Sequence, residues 1–514
     1  MLRKALLALV LPVAAAAAPA DAAWRQASTD HFVIYSEASA KELQAYATRL
    51  ERYDQAMRYI RGLPDAKPSP ANRLTVFVVP NLSSVKKLYG KGGSGVAGFY
   101  TGRATGSVAV TPRSAGGGTQ FDLDADIVLF HEYAHHFMMQ NYPGVFPAWF
   151  IEGFAEFNST ARVEKDGSVG IGLPANHRAY SLAGRNPLPL EKMMTASSAE
   201  LKPDQRDALY SRGWLLTHYL TFEPSRKGQL TAYLAALNKG TNSLDAAKAA
   251  FGDLAKLNRE LVNYLHRSSL VYLKLTPDRI KIGPVEVREL NAAEASVMNV
   301  RIRSKRGVDD AEARALVPLA RAAAAAYPKD VLAQVTLAEA EYDAGNLAEA
   351  EAAADRALAA DPKSVEALIY KGRAKMAAAA AAKAADAATW KEARKWIVAA
   401  NRLEPDDPEP LLLYYSSFME QGQQPTPTAA LGLVRALELA PQDRGLRMMV
   451  ARQHLIDGKA ADARAALAPI AYDPHAGGMG EAASAIIAAI DKGGAKFALE
   501  AAEMLGEAKE KDGE

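Results

Sequence analysis

Polar and apolar residues alternate over His31–Ser36, and an aliphatic run occupies Arg73–Val79, so both stretches are predicted as strands. Between them Leu43, Tyr46, Leu50, Tyr53 and Met57 recur every three or four residues, the spacing of one helix face. Lys41–Gly62 is therefore an amphipathic helix inside a β-α-β opening. A short helix near Ser83–Tyr89 follows, then the glycine-rich segment Gly90–Gly98 and strands at Phe99-Tyr100 and Ser107–Thr111. Gly116-Gly117-Gly118 breaks the chain before another helix. From about Leu188 to Ser268 the period is helical again, with segments at Ala208–Thr221, Lys227–Asn238 and Ser243–His266. Alternating β-branched residues in Val271–Leu275, Ile280–Val287 and Val297–Ile302 predict a small β-containing connector.

Beyond the connector, the marks are prolines that close helices. Pro328, Pro362, Pro405, Pro441 and Pro474 stand 34, 43, 36 and 33 residues apart, against a tetratricopeptide period of about 34. Leu337, Gly345, Ala350, Ala357 and Pro362 fall where that helix-turn-helix unit needs its packing, turn and terminating residues. Ala393, Ala400, Ala429 and Ala436 hold corresponding places later on. The long second interval coincides with the alanine-rich tract Ala377–Ala388, expected to lengthen a helix. About four degenerate repeats resembling tetratricopeptide repeats result, with a generic helical bundle as the alternative.

Composition refines this picture. Apolar residues at 49% and charged residues at 23% are globular averages, so a chain of 514 residues can bury several cores. A net charge of +2 with no basic block gives nucleic acid no footprint. Arg3 and Lys4, an apolar run from Ala5 to Ala18 and the small residues around Ala20-Asp21-Ala22 read as a secretory signal peptide. The run is shorter than the roughly 20 residues that span a bilayer, so no stable membrane insertion is expected after cleavage. The expected product is exported, periplasmic or secreted. There is no cysteine. The expected organisation is α+β: a signal peptide at 1–22, a catalytic body at 24–268, the connector at 269–307, a repeat solenoid at 308–474 and a helical cap with a charged tail at 475–514.

The chemistry is concentrated in Val128–Phe137, where His131-Glu132-Tyr133-Ala134-His135 forms HExxH inside a helix-compatible apolar run. Residues four apart share a helix face, so both imidazoles can converge on one zinc ion. Glu132 lies beside the first histidine, placed to take a proton from a water rather than to bind the metal. His136 sits about 100° around the helix from His135 and is expected to pack or hydrogen-bond instead. His31, His177, His218, His266, His454 and His475 have no partner at metal spacing, which predicts structural roles. Asp122, Asp124 and Asp126 are read as capping and solvation near a helix start, where negative charge is favourable.

Sixteen residues separate His135 from Glu152 in the segment Pro147-Ala-Trp-Phe-Ile-Glu152-Gly-Phe-Ala-Glu156. HExxH followed by W-x-x-E-G-x-A resembles the gluzincins, a superfamily of zinc metallopeptidases. The aminopeptidase-like members have a slightly longer interval; the wider peptidase-MA-like group, in which such domains join tetratricopeptide repeats, is the better match. The resemblance implies a zincin-like fold and zinc as cofactor, and makes Glu152 the third ligand. It further implies that Glu156 hydrogen-bonds and orients a zinc histidine, the alternative being an exposed helix carboxylate. A tyrosine of the later helix would stabilise the oxyanion, with Tyr210 chosen over Tyr219 and aromatic packing as the other reading. Finally, it implies that Ser107–Thr111 serves as an edge strand for an extended substrate.

The expected function is hydrolysis of a peptide or protein substrate by a water that the zinc activates, Glu132 acting as general base and then acid. A protein partner on the repeats is a further expectation. The rival is a catalytically silent zincin scaffold that acts as an interaction module through its solenoid.

Overall fold

The computed structural model describes residues 23–512 apart from 91–92, 94–95, 115–118, 120–121, 143, 185–187 and 197–200. The expected signal peptide and Gly116-Gly117-Gly118 lie outside the described residues. In chain order the first elements are β1 (Arg25–Ser28), β2 (Phe32–Ser36), α1 (Ala40–Arg61), β3 (Leu74–Asn81), α2 (Leu82–Tyr89), β4 (Phe99–Thr101) and β5 (Val108–Ser114). Then come α3 (Ala125–Asn141), α4 (Ala148–Ser159), β6 (Arg162–Val163), β7 (Val169–Ile171), α5 (Ala179–Leu182), α6 (Leu190–Thr195) and α7 (Pro203–Phe222). The set closes with α8 (Gln229–Asn238), α9 (Ser243–Phe251), α10 (Leu254–Leu265), β8 (Leu273–Leu275), β9 (Glu286–Glu289) and α11 (Ala292–Arg306).

Local chemistry explains the boundaries of α1. The Ser39 hydroxyl accepts from the Glu42 amide at 3.3 Å, while the Glu42 carboxylate accepts from the Ser39 amide at 3.0 Å, closing a capping box. Gly62 ends the helix in the left-handed region at φ +62°. Its buried stripe of Leu43, Leu50, Tyr53 and Met57 packs against the sheet, as the periodicity predicts.

Strands β2, β3 and β5 are parallel neighbours, and the six-stranded sheet has the order β4-β5-β3-β2-β1-β9. Alternate side chains divide its two faces, as a pleated strand requires. Ile34, Val76 and Ala109 join the core beneath α1 and α3, whereas Tyr35, Phe77 and Val110 join a second core with Val85 of α2. The expectation for Ser107–Thr111 is corrected here, since β5 pairs on both sides and the edge strand is β4.

The connector also differs from expectation. Val297–Ile302 belongs to helix α11, not to a strand, because Asn291 and Glu294 form a capping box whose local signal outweighs the β-branched residues. Strands β8 and β9 are real, but they extend the first body's sheets by pairing with β7 and β1. Helix α11 lies between the two halves of the molecule. Met298 and Ile302 pack behind the sheet, and Val300 enters the core of the first repeat helices. Arg301 and Lys305 reach Glu366 at 3.3 and 2.7 Å.

The remainder is helical. After the helix Asp310–Ala326, four helix pairs follow: Val331–Asp343 with Leu347–Ala360, Val365–Ala381 with Ala387–Leu403, Pro408–Glu420 with Pro427–Leu439, and Arg444–Ile456 with Ala460–Ala471. Ala350, Ala357, Ala393, Ala400, Ala429 and Ala436 are fully buried between helices, where small side chains permit close approach. The tract Ala377–Ala388 does more than lengthen a helix, because it contains the reversal between two helices. Lys383 adopts φ +50° there, and Trp390 Nε1 donates to Ala384 O at 2.8 Å. A final helix, Gly478–Asp512, is kinked at Gly494.

One buried polar network ties α1 to α3. Asp54 accepts from the Tyr133 hydroxyl at 2.6 Å and from Arg58 Nε at 2.8 Å, and His31 Nδ1 lies 3.0 Å from Glu51 and 3.6 Å from Asp54. Burial opposes a charge on His31, but Glu51 and Asp54 outweigh it and raise its pKa. Asp54→Asn removes one charge from this balanced set and leaves Arg58 underpaired. The expected loss is about 3 kcal/mol, the range for breaking a buried pair from one side. A lower urea midpoint for the first unfolding transition checks it, and an unchanged midpoint contradicts it.

Candidate metal centre

The capping carboxylate of Asp124 accepts from the Asp126 amide at 3.0 Å and starts α3, in accord with the capping role read for this acidic segment. Along α3 His131 and His135 then project into one cleft. All twelve residues of α4 are buried, including Glu152 and Glu156. Such complete burial follows from its position between α3 and α7. Helix α4 approaches α7 at a glycine pair, where a Cβ on Gly153 would collide with Gly213 O and one on Gly213 would meet Trp149 O at 2.7 Å. Only glycine permits that approach, and it brings Tyr210 of α7 beside the carboxylates of α4.

Three donors converge. His131 Nε2 and His135 Nε2 are 3.1 Å apart, and Glu152 Oε2 lies 3.5 and 3.6 Å from them. A tetrahedral zinc site with bonds of roughly 2.0–2.1 Å has ligand atoms about 3.3–3.4 Å apart. The triangle therefore matches one face of such a tetrahedron. Both Glu152 oxygens are buried; Oε2 receives no hydrogen bond and Oε1 has only His475 Nε2 beside it, at 2.8 Å but out of line for a hydrogen bond, and His135 Nδ1 is likewise unsatisfied. A buried carboxylate oxygen without a hydrogen bond is expensive unless a cation meets it, and Oε2 is such an atom in the triangle, so the donor set fits a divalent metal.

Glu156, one turn after Glu152, faces the other nitrogen of His131, with Oε1 3.3 Å from Nδ1. It also accepts from Arg178 Nη2 at 2.6 Å and lies 2.9 Å from His177 Nε2. Burial opposes its ionisation, but Arg178 and the two histidines hold it well below the usual carboxylate range. Glu156 is thus a buried orienting group rather than an exposed carboxylate. Burial disfavours a charged His131, yet Glu152 and Glu156 push its pKa up to about 10. Burial takes His135 down to about 3, which keeps that imidazole neutral. Burial also raises Glu132, bringing its carboxylate closer to the range suited to exchanging protons near neutrality.

The cleft is open to solvent with a volume of about 810 Å³, and Glu132, Tyr210 and the edge strand β4 all line it. Tyr210 stacks on His131 at 5.8 Å and 15°, and the Arg178 guanidinium lies 5.1 Å from its ring centre. Tyr219 instead donates to Glu260 at 3.1 Å. His136 lies 2.8 Å from the Tyr100 hydroxyl and takes no part in the triangle.

Sequence spacing does not reveal two further groups. His177 and Arg178 sit on a turn just before α5 and share Glu156; their only local signal is two basic residues in succession. His475 comes from the end of the repeats, yet its Nε2 lies 2.8 Å from Glu152 Oε1. No short-range pattern encodes that approach.

Residues 331–376 match the tetratricopeptide repeat family, on the first complete helix pair and the helix after it. Among solved structures, a thermophilic TPR protein from Thermus thermophilus is similar at 19% identity, with 38% of this chain and 97% of that chain covered and a TM-score of 0.32. No curated protein matches.

Two outcomes follow from this geometry. Gly153→Ala forces α4 away from α7, so it is expected to cost about 1–3 kcal/mol as overpacking and to lower metal content by elemental analysis; full metal content would show that the glycine contact does not position Glu152. The second concerns protons. With a pKa of about 10, His131 is protonated at pH 7, so a divalent cation held by the triangle would displace a proton and its affinity would rise with pH. Calorimetry in buffers of different ionisation enthalpy should report release of about one proton. A value near zero would mean that His131 starts neutral.

Proposed function

We propose that the chain is a zinc-dependent hydrolase of the gluzincin type, most plainly a metallopeptidase, with His131, His135 and Glu152 as ligands. The observation that carries the reading is the donor triangle, whose edges of 3.1, 3.5 and 3.6 Å suit one face of a zinc tetrahedron. The resemblance of His131–His135 and Trp149–Ala155 to the gluzincin pattern supports the same assignment.

A zinc ion bound here supplies Lewis-acid polarisation of the scissile carbonyl and acidifies the attacking water. Glu132 accepts that water's proton and delivers it to the leaving amine. Glu156 keeps the His131 ring in one tautomer and orientation through Nδ1. Tyr210, held by ring contacts with His131 and Arg178, donates toward the developing oxyanion. Its raised pKa, due first to burial and then to the surrounding carboxylates, keeps the hydroxyl protonated for that purpose. An extended peptide lies along β4, the strand with a free edge in the cleft.

The protein is read as exported, on its N-terminal sequence. No helix among the described residues is long and apolar enough to cross a membrane. Tetratricopeptide repeats are a platform for protein interaction, so a protein partner belongs to this reading as well.

Glu132→Gln tests the enzyme assignment with little change of shape. Zinc content and fold are expected to remain, while cleavage of a peptide library falls by about 10²–10⁴-fold. Equal cleavage by wild type and the zinc-loaded variant would reject the mechanism.

A further inference from the structure

The loops before and after the last helix pair of the repeat region form a wall of the cleft. Asp443 Oδ2 accepts from the Ala104 amide at 2.8 Å, Gln442 Nε2 donates to Ser107 Oγ at 2.9 Å, and Gln140 Nε2 donates to Gln442 Oε1 at 2.7 Å. These bonds join the turn before the helix Arg444–Ile456 to the loop ahead of β5 and to the end of α3. Gly102 is fitted to the same seat, since a Cβ there would stand 2.7 Å from the Gln442 side chain. The position of the loops is therefore set by complementary groups on both halves.

Behind that seat Asp473 organises the second loop. Its Oδ1 accepts from the His475 amide at 2.8 Å, and its Oδ2 accepts from Arg444 Nε at 2.5 Å. The His475 ring consequently points at the donor triangle, edge-on to His135 at 5.4 Å and 76°. The two oxygens of Glu152 divide between their neighbours. Oε1 meets His475 Nε2 at 2.8 Å, whereas Oε2 turns to His131 and His135 at 3.5 and 3.6 Å.

We propose that His475 is a positioning residue of the metal centre, supplied by the repeat region, which holds Glu152 by Oε1 so that Oε2 faces the metal. This rests on the zinc assignment above. His475 lies outside the group of donor atoms that fall within 4.8 Å of one another, so it orients a ligand and is not one itself. The solenoid is then part of the metal centre as well as an appended platform. Its seat on the loop between β4 and β5 and on the end of α3 controls how well the third ligand is preorganised.

The test measures zinc affinity of full-length protein by competition with a chromophoric chelator, for wild type, His475→Ala, His475→Gln and Asp473→Ala. His475→Ala is expected to weaken zinc binding by about 10–100-fold, the usual effect of losing an orienting partner. His475→Gln, whose amide can still donate to Oε1, is expected to recover most of the loss. Asp473→Ala leaves the ring in place chemically but releases its loop, and should fall between wild type and His475→Ala. Circular dichroism and thermal unfolding of the metal-free proteins are expected to be unchanged for the His475 variants. A purely structural residue would move those measurements and would not be rescued by glutamine. Wild-type affinity in His475→Ala overturns this inference alone, as does tighter binding, which would mark His475 as a competitor of the metal for Glu152. A wild-type protein that binds no zinc overturns the functional assignment together with it.

Discussion

Two carboxylates buried one turn apart on α4 set the terms for everything around them. An ionised carboxylate removed from water is costly unless oppositely charged or hydrogen-bonding groups replace the lost hydration. Glu152 and Glu156 together need more such groups than one helix can supply. The fold brings them from three other segments: the imidazoles of α3, the pair His177-Arg178 before α5, and His475 beyond the last repeat. Glu156 is satisfied by protein groups alone. Glu152 is not, since Oε2 has no hydrogen bond and Oε1 has only His475 beside it, and under the proposed assignment that asymmetry is what would separate a ligand from an orienting group.

Packing makes the arrangement possible. The contact between Gly153 and Gly213 lets α4 and α7 approach at backbone distance, so the cleft is floored by one helix and flanked by the other. On the far side of α3, Tyr53 donates to Phe130 O at 3.1 Å and Tyr133 donates to Asp54, which fixes the rotation of the helix carrying the histidines. Tyr133 and Glu132 are adjacent, so the anchor on one face of α3 determines where the next side chain points on the other. Rigid placement of this kind is what allows a site to hold its ligands before the metal arrives.

Much of this is legible in the sequence because the signals are local. The HExxH spacing and the three- and four-residue period of α1 each depend on residues within a few turns of one another, and both appear in the structure as a shared cleft and a buried helix stripe. Proline and alanine spacing likewise marks the four helix pairs. The failures come where the deciding partner is remote. Val297, Val300 and Ile302 carry strand-like chemistry, yet the box at Asn291 and Glu294, together with a place between sheet and repeats, makes them helical. Whether β4 or β5 forms the edge depends on the order of pairing, which no single strand encodes. Spacing alone makes His475 an ordinary histidine, because its partner, Glu152, lies in the other half of the chain.

That distance has a thermodynamic consequence. If the seat of the repeat region positions Glu152, then seating and metal binding are linked, and linkage acts equally in both directions. Metal in the triangle favours the seated arrangement by the same factor by which seating favours metal. A protein partner that bound the repeats and preferred them seated would therefore tighten the metal site without approaching it; one that preferred them displaced would loosen it. Helix α11 is the element through which such a preference would be felt on the opposite side of the sheet, since Val300 packs with the repeats while Met298 and Ile302 pack with β-strand side chains. Contacts at the cleft, behind the sheet and at the segment before β3, where Ala71 N donates to Glu404 and Asn72 Nδ2 to Asp406 O, thus restrain the repeats against the same body. A partner that moved His475 by displacing the repeats would have to disturb these contacts together, so the seated repeat region, with His475 against Glu152, is the resting arrangement.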